Sequence, residues 1–138
     1  MTLKKMPVGK TERLRGAKRM RELEKTKRAV ALLRAKLNAA NETRREIEWL
    51  FDKLEKHAGD GETENKIASL AAKAVAEELF VFDFLDSLPD GFTRRIFELK
   101  YLDGLSYTQV AQRIGGDNSN ESVKKIIKRN LFKFCRKQ

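Results

Sequence analysis

Between Thr11 and His57 the chain has no proline and a single glycine, Gly16. Proline is the strongest interruption of a helix and glycine the next. Little in this stretch therefore stops a helix of about 47 residues, roughly 70 Å long. Apolar residues recur through it with three-four spacing, at Leu23, Val30, Leu33, Leu37, Ala40, Ile47, Phe51, Leu54 and Ala58. Read as heptads, the seam breaks only at Thr26 and Arg44. A helix this long exceeds what a small domain can bury, so it must be a coiled-coil arm or fold against another element.

Gly59-Asp60-Gly61 favours a turn and ends the stretch. A second helical pattern runs from Glu62 to about Ser87, with Ile67, Leu70, Ala74, Val81, Phe84, Leu85 and Leu88 on its apolar side. The charges fall in three blocks. Residues 1–58 carry 17 Lys/Arg against 8 Asp/Glu, residues 59–92 carry 2 against 8, and residues 93–138 carry 11 against 4. The acidic middle complements the basic first helix, which makes an antiparallel helical hairpin the economical reading and leaves intermolecular pairing open. Leu88-Pro89-Asp90-Gly91 then breaks the chain, because proline disfavours helical backbone in the residue before it. The expected organisation is a flexible basic N-terminus over 1–10, a hairpin or coiled coil over 11–87, and a separate domain over 88–138.

The rest of the composition bounds the function. Two prolines, eight glycines and 41% hydrophobic residues suit an all-α protein, and no strand pattern competes. No apolar run is long enough to span a membrane. Met1 to Pro7 lacks the apolar core of a secretory signal. The single cysteine, Cys135, excludes an internal disulfide and suits a reducing cytoplasm. Catalytic patterns are weak. His57 is the only histidine and has no Cys or carboxylate cluster beside it, so no metal is expected. Gly9-Lys10-Thr11 imitates the end of a P-loop, but the glycine needed five residues earlier is Lys4. Cys135 lacks a base partner and reads as a small, partly buried side chain. Neither enzymatic activity nor a cofactor is expected.

The last third reads as three short helices. Phe92, Ile96, Phe97, Leu99 and Leu102 form one apolar face, stopped at Asp103-Gly104. Ser106 and Gln109 have the spacing of a capping box at the start of the next helix, whose buried side is Val110, Ala111 and Ile114. Gly115-Gly116-Asp117-Asn118 forms a turn. Ser119 caps a third helix, with Val123, Ile126, Ile127, Leu131 and Phe134 facing inward.

Two short helices joined by a glycine-containing turn, the second rich in cations, define a helix-turn-helix pattern. The second helix of such a unit enters the DNA major groove. Its exposed positions here are Asn120, Glu121, Lys124, Lys125, Lys128 and Arg129, with Ser119 at its start. Asn and Lys can address purine edges and Glu can accept from cytosine. Lys128 and Arg129 suit phosphates, as do Arg94, Arg95, Tyr107 and Thr108 near the starts of the two preceding helices.

These residues also carry a resemblance. Leu88-Pro89, followed by Arg95 to Ala111 (Arg-Ile-Phe-Glu-Leu-Lys-Tyr-Leu-Asp-Gly-Leu-Ser-Tyr-Thr-Gln-Val-Ala), resembles the start of sigma-70 region 4. Ser119-Asn120-Glu121-Ser122-Val123-Lys124 resembles the opening of its recognition helix. The likeness covers residues 88–136. The turn after Ile114-Gly115 is longer than in bacterial sigma factors, and its Gly-Gly followed by Ser-Val and a cation is more similar to sigma-like regulators of Gram-positive phages and prophages. The resemblance implies a transcriptional regulator that binds double-stranded DNA and acts with RNA polymerase. No equivalent of a promoter-melting sigma region 2 is present, so independent sigma activity is not expected.

The N-terminal helices would then mediate self-association into a homo-oligomer or contact polymerase. The basic stretch from Lys4 to Lys36, with 13 Lys/Arg and three acids, would follow phosphates or form the solvated flank of a coiled coil. Trp49 and Phe51 are expected in the hairpin core rather than as a base-stacking platform. Two further functions share these features: a phage DNA-packaging component of small-terminase type, and a polymerase-binding adaptor.

Overall fold

The computed structural model describes residues 8–57, 59 and 61–137, with side chains from Glu12 onward. Residues 1–7, which hold most of the expected flexible N-terminus, lie outside the described residues, as do Ala58 of the seam and Asp60 of the turn. The protein is all-α: α1 spans Val8–Lys56, α2 Gly61–Asp86, α3 Gly91–Phe97, α4 Tyr107–Ile114 and α5 Asn120–Arg136. A π-helical turn, Glu98–Leu102, continues α3. No strand occurs among the described residues. No helix among them is long and apolar enough to cross a membrane.

The two long helices pack against each other within one chain, forming the antiparallel hairpin. The apolar side of α2 is the expected one, with Ile67, Ala74, Val81, Phe84 and Leu85 buried. Along α1 the stripe holds from Val30 through Leu33 and Leu37 to Ala40, then departs from the heptad reading. Thr43 and Leu50 are buried where Arg44 and Phe51 would have stood. Thr43 tolerates burial because its hydroxyl donates to the carboxylate of Glu77 on α2. Trp49 is 61% and Phe51 51% exposed, so neither belongs to the hairpin core. The cause is a change of partner along α1. Val30, Leu33 and Leu37 share a core cluster with residues of α2 and α5, whereas Leu50 lies outside that cluster, so the contact stripe swings around the helix.

Charge complementarity contributes modestly. Across the hairpin, Arg44 lies 3.5 Å from Glu78 and Lys66 3.9 Å from Glu46. Exposed pairs of this kind each contribute about 0–1 kcal/mol. A fully buried leucine contributes about 1.5–3 kcal/mol, so the apolar seam holds the hairpin together.

At Leu88-Pro89 the chain reverses, yet the core does not stop there. A single cluster joins Val30, Leu33 and Leu37 to Val81, Phe84, Ile96, Phe97, Leu99, Val110, Val123, Ile127 and Leu131. Phe84 forms its hub, with ring centroids 5.4 Å from Phe97 and 5.0 Å from Phe134. Polar contacts fasten the same junction. The Arg94 guanidinium donates to the Leu85 carbonyl at 3.2 Å, satisfying the C-terminal end of α2. Arg44 donates to the Leu102 carbonyl at 2.7 Å, at the end of the π turn. Asp90 caps α3 by accepting from the Thr93 amide at 2.7 Å, and this bond holds its carboxyl below the ordinary aspartate value.

Phe92 departs from the sequence reading. It is 52% exposed, and Thr93 is buried in its place. The π turn also alters side-chain placement: the Asp103 amide bonds to the Glu98 carbonyl five residues back. Tyr101, absent from the expected core, is thereby almost fully buried. Gly104 follows in left-handed backbone at φ 69°, and a Cβ there would come within 3.2 Å of the Asn41 side chain on α1.

Candidate nucleic-acid interface

α4 and α5 form the two arms of a helix-turn-helix unit. Ser106 opens α4 with a complete capping box, its hydroxyl accepting from Gln109 N while the Gln109 side chain accepts from Ser106 N. Ser119 opens α5 in the same way, with Ser122 as the reciprocal partner. Between them Gly115 and Gly116 adopt left-handed backbone, φ 68° and 66°, which costs a glycine nothing and other residues about 1 kcal/mol or more. The Asn118 amide closes the turn on the Gly115 carbonyl at 2.9 Å.

The inward face of α5 is buried through Val123, Ile127 and Leu131. Its outward face carries Glu121, Lys124, Lys125, Lys128 and Arg129, all exposed. Lys124 lies 3.6 Å from Glu121, a weak pair within the helix. Lys125, Lys128 and Arg129 have no carboxylate partner among the described residues and surround a shallow groove floored by Phe132. This cationic face stands free.

Several residues expected at the site are engaged in the fold. Asn120 is half-buried, and its side chain donates to the Thr108 hydroxyl at 3.2 Å, bridging the starts of the two helices. The Ser119 hydroxyl is used by the cap. Arg95 pairs with Glu98 at 2.8 Å. Arg94 is committed to the end of α2. Of these contacts the Asn120–Thr108 bond ties α5 to α4, and the exposed cations of α5 take no part in them.

Tyr107 occupies the first position of α4, where two cations meet its ring. Lys100 Nζ stands 4.4 Å and Lys124 Nζ 5.5 Å from the ring centroid. Lys100 was not visible as a site residue in the sequence, because the π turn that lifts it onto Tyr107 leaves no pattern there. Burial, then the nearness of Arg45 and Arg34, lowers its ammonium below the ordinary lysine value.

No cluster of three or more metal-ligating side chains occurs among the described residues. The backbone of Gly9-Lys10-Thr11 is helical rather than the strand-to-loop junction that a P-loop needs. Cys135 is partly buried, and burial raises its thiol pKa, which works against thiolate chemistry.

No family model, curated protein or solved structure matches the chain.

Proposed function

We propose that this protein is a non-enzymatic, sequence-specific DNA-binding transcriptional regulator of the sigma-70 region 4-like phage type, acting in the cytoplasm with RNA polymerase. One observation carries the reading: α5 is capped and angled by its junction with α4, and it presents Lys124, Lys125, Lys128 and Arg129 on its exposed face. The likeness of residues 88–136 to sigma-70 region 4 supports it. In this reading α5 enters the major groove, Glu121, Lys124 and Lys125 face base edges, and Lys128 and Arg129 meet phosphates.

The test is genome-wide enrichment of DNA by purified protein, beside a Lys124→Ala/Lys125→Ala double variant. A few sharp peaks upstream of an operon, absent with the variant, are expected. Diffuse binding that the variant retains would overturn sequence-specific regulation through α5.

A second reading is favoured by a separate observation. Val75, Leu79 and Phe82 stand exposed on α2, spaced four and three residues apart as in a coiled-coil seam. A packaging subunit of small-terminase type would use such a stripe for assembly. Light scattering separates the two: ring-sized oligomers favour packaging, and a monomer or dimer favours the regulator.

A further inference from the structure

The hairpin contributes cations to the same side of the molecule as the α4–α5 unit. Asn41 Nδ2 donates to the Lys100 carbonyl at 3.4 Å and Arg44 to the Leu102 carbonyl at 2.7 Å, so this segment of α1 lies directly against the π turn. Arg44 is paired with Glu78 and spends a donor on the Leu102 carbonyl. Its neighbours are not. Arg45 is exposed, Arg34 is half-buried with its Nε enclosed and unpaired, and neither has a carboxylate partner among the described residues. Lys100 shares that lack and donates only to the Leu105 carbonyl, at 3.2 Å. Burial, and after it the nearness of Arg45 and Arg34, holds the Lys100 ammonium below its ordinary value. From Lys100 the positive surface continues across the Tyr107 ring to Lys124 on α5.

Clustering three cations that have no carboxylate partner among the described residues costs folding energy, and an external anion relieves that cost. The cluster is continuous with the free face of α5, so the anion that fits it is the backbone of the same duplex. We propose that the DNA contact surface extends beyond the helix-turn-helix onto the hairpin, where Arg34 and Arg45 of α1 act with Lys100 to hold a backbone phosphate beside the groove that α5 enters. The hairpin is then part of the DNA footprint as well as a support. This rests on the DNA-binding reading.

The experiment measures affinity of the full chain for a mixed-sequence duplex of about 30 base pairs, titrated over a range of KCl, because phosphate neutralisation appears directly in the salt dependence. The variants are Arg45→Gln and Arg45→Glu at an exposed position, with Lys73→Glu on α2 as a control for total charge and Lys124→Ala/Lys125→Ala as a marker for α5. Circular dichroism checks that each folds. Arg45→Gln should make the slope of log affinity against log salt shallower by about 0.9, the value for one neutralised phosphate. Arg45→Glu should weaken binding more than Lys73→Glu at every salt concentration. If both Arg45 variants behave like the Lys73 control while the α5 variant weakens binding, the extended footprint is wrong and the α5 reading stands. If the unmodified protein does not bind the duplex, both fall.

Discussion

The hairpin and the α3–α5 unit are built from the same kinds of residue, yet they are specified differently. In the C-terminal unit each helix has a defined start: Asp90, Ser106 and Ser119 are side-chain caps, and left-handed glycines fix the turns. Its side chains point inward from three directions, so Ile96, Phe97, Leu99, Val110, Val123, Ile127 and Leu131 are completely shielded. The hairpin relies on one stripe per helix and leaves Leu32, Trp49, Val75, Leu79 and Phe82 in solvent. Local chemistry dictates the first region, and the identity of the partner surface dictates the second.

The largest effect that separates them is an aromatic deletion. Phe97→Ala should cost about 3–5 kcal/mol, as expected for a buried phenylalanine. Trp49→Ala, the larger truncation, should stay within about 0.5 kcal/mol because its ring is exposed. Urea denaturation measures both, and equal losses would break the distinction. The Phe97 variant should also lower a single shared transition, since the core crosses Pro89. Two separated transitions would show that the regions unfold independently.

Caps give the next effect. Ser106→Ala and Ser119→Ala should each cost about 1 kcal/mol, read as a lower melting temperature. A loss below a few tenths at both sites would mean that packing alone sets these helix starts.

The smallest effect concerns pH. Burial raises the Tyr101 phenol to about 12, against an unfolded value of 10.0. An acid with a raised folded pKa contributes stability that is complete below the unfolded value and is lost as pH rises through the folded one. Stability should therefore decline from about pH 10 towards about 12. Tyr101→Phe keeps the ring and removes the proton, so it should flatten that decline. An unchanged alkaline profile would place the sensitivity elsewhere.

How much of this was legible in sequence follows the same division. The Ser106–Gln109 box, the Gly115-Gly116 turn and the inward face of α5 depend on residues a few positions apart, and each stands where the sequence puts it. The apolar side of α2 was equally legible, because its buried positions follow the helical spacing whether they meet α1 or, as at Phe84, the C-terminal helices. The α1 seam was legible to Ala40 and in part again at Ile47 and Leu54, which are half-buried. Beyond Ala40, a hydrophobicity rule cannot foresee that Thr43 is buried against Glu77 or that Leu50 replaces Phe51, since both depend on where a remote helix lies. The roles of Arg94, Arg44 and Lys100 were hidden for a related reason. In sequence Arg94 reads as a ligand for phosphate and Arg44 as a break in the seam, and only the fold reveals that both bind carbonyls of the chain itself.

The shared core also has a consequence for the order of events during synthesis. Val30, Leu33 and Leu37 belong to the same cluster as Val123, Ile127 and Leu131, so the first helix made packs against the last. With about 100 residues between them and translation at about 5–20 residues per second, α1 waits on the order of 5–20 s for α5. During that interval its apolar stripe is only partly covered, by α2 once the hairpin closes. The nascent chain is then open to chaperones, or to a neighbouring nascent copy, until α5 leaves the ribosome and completes the fold.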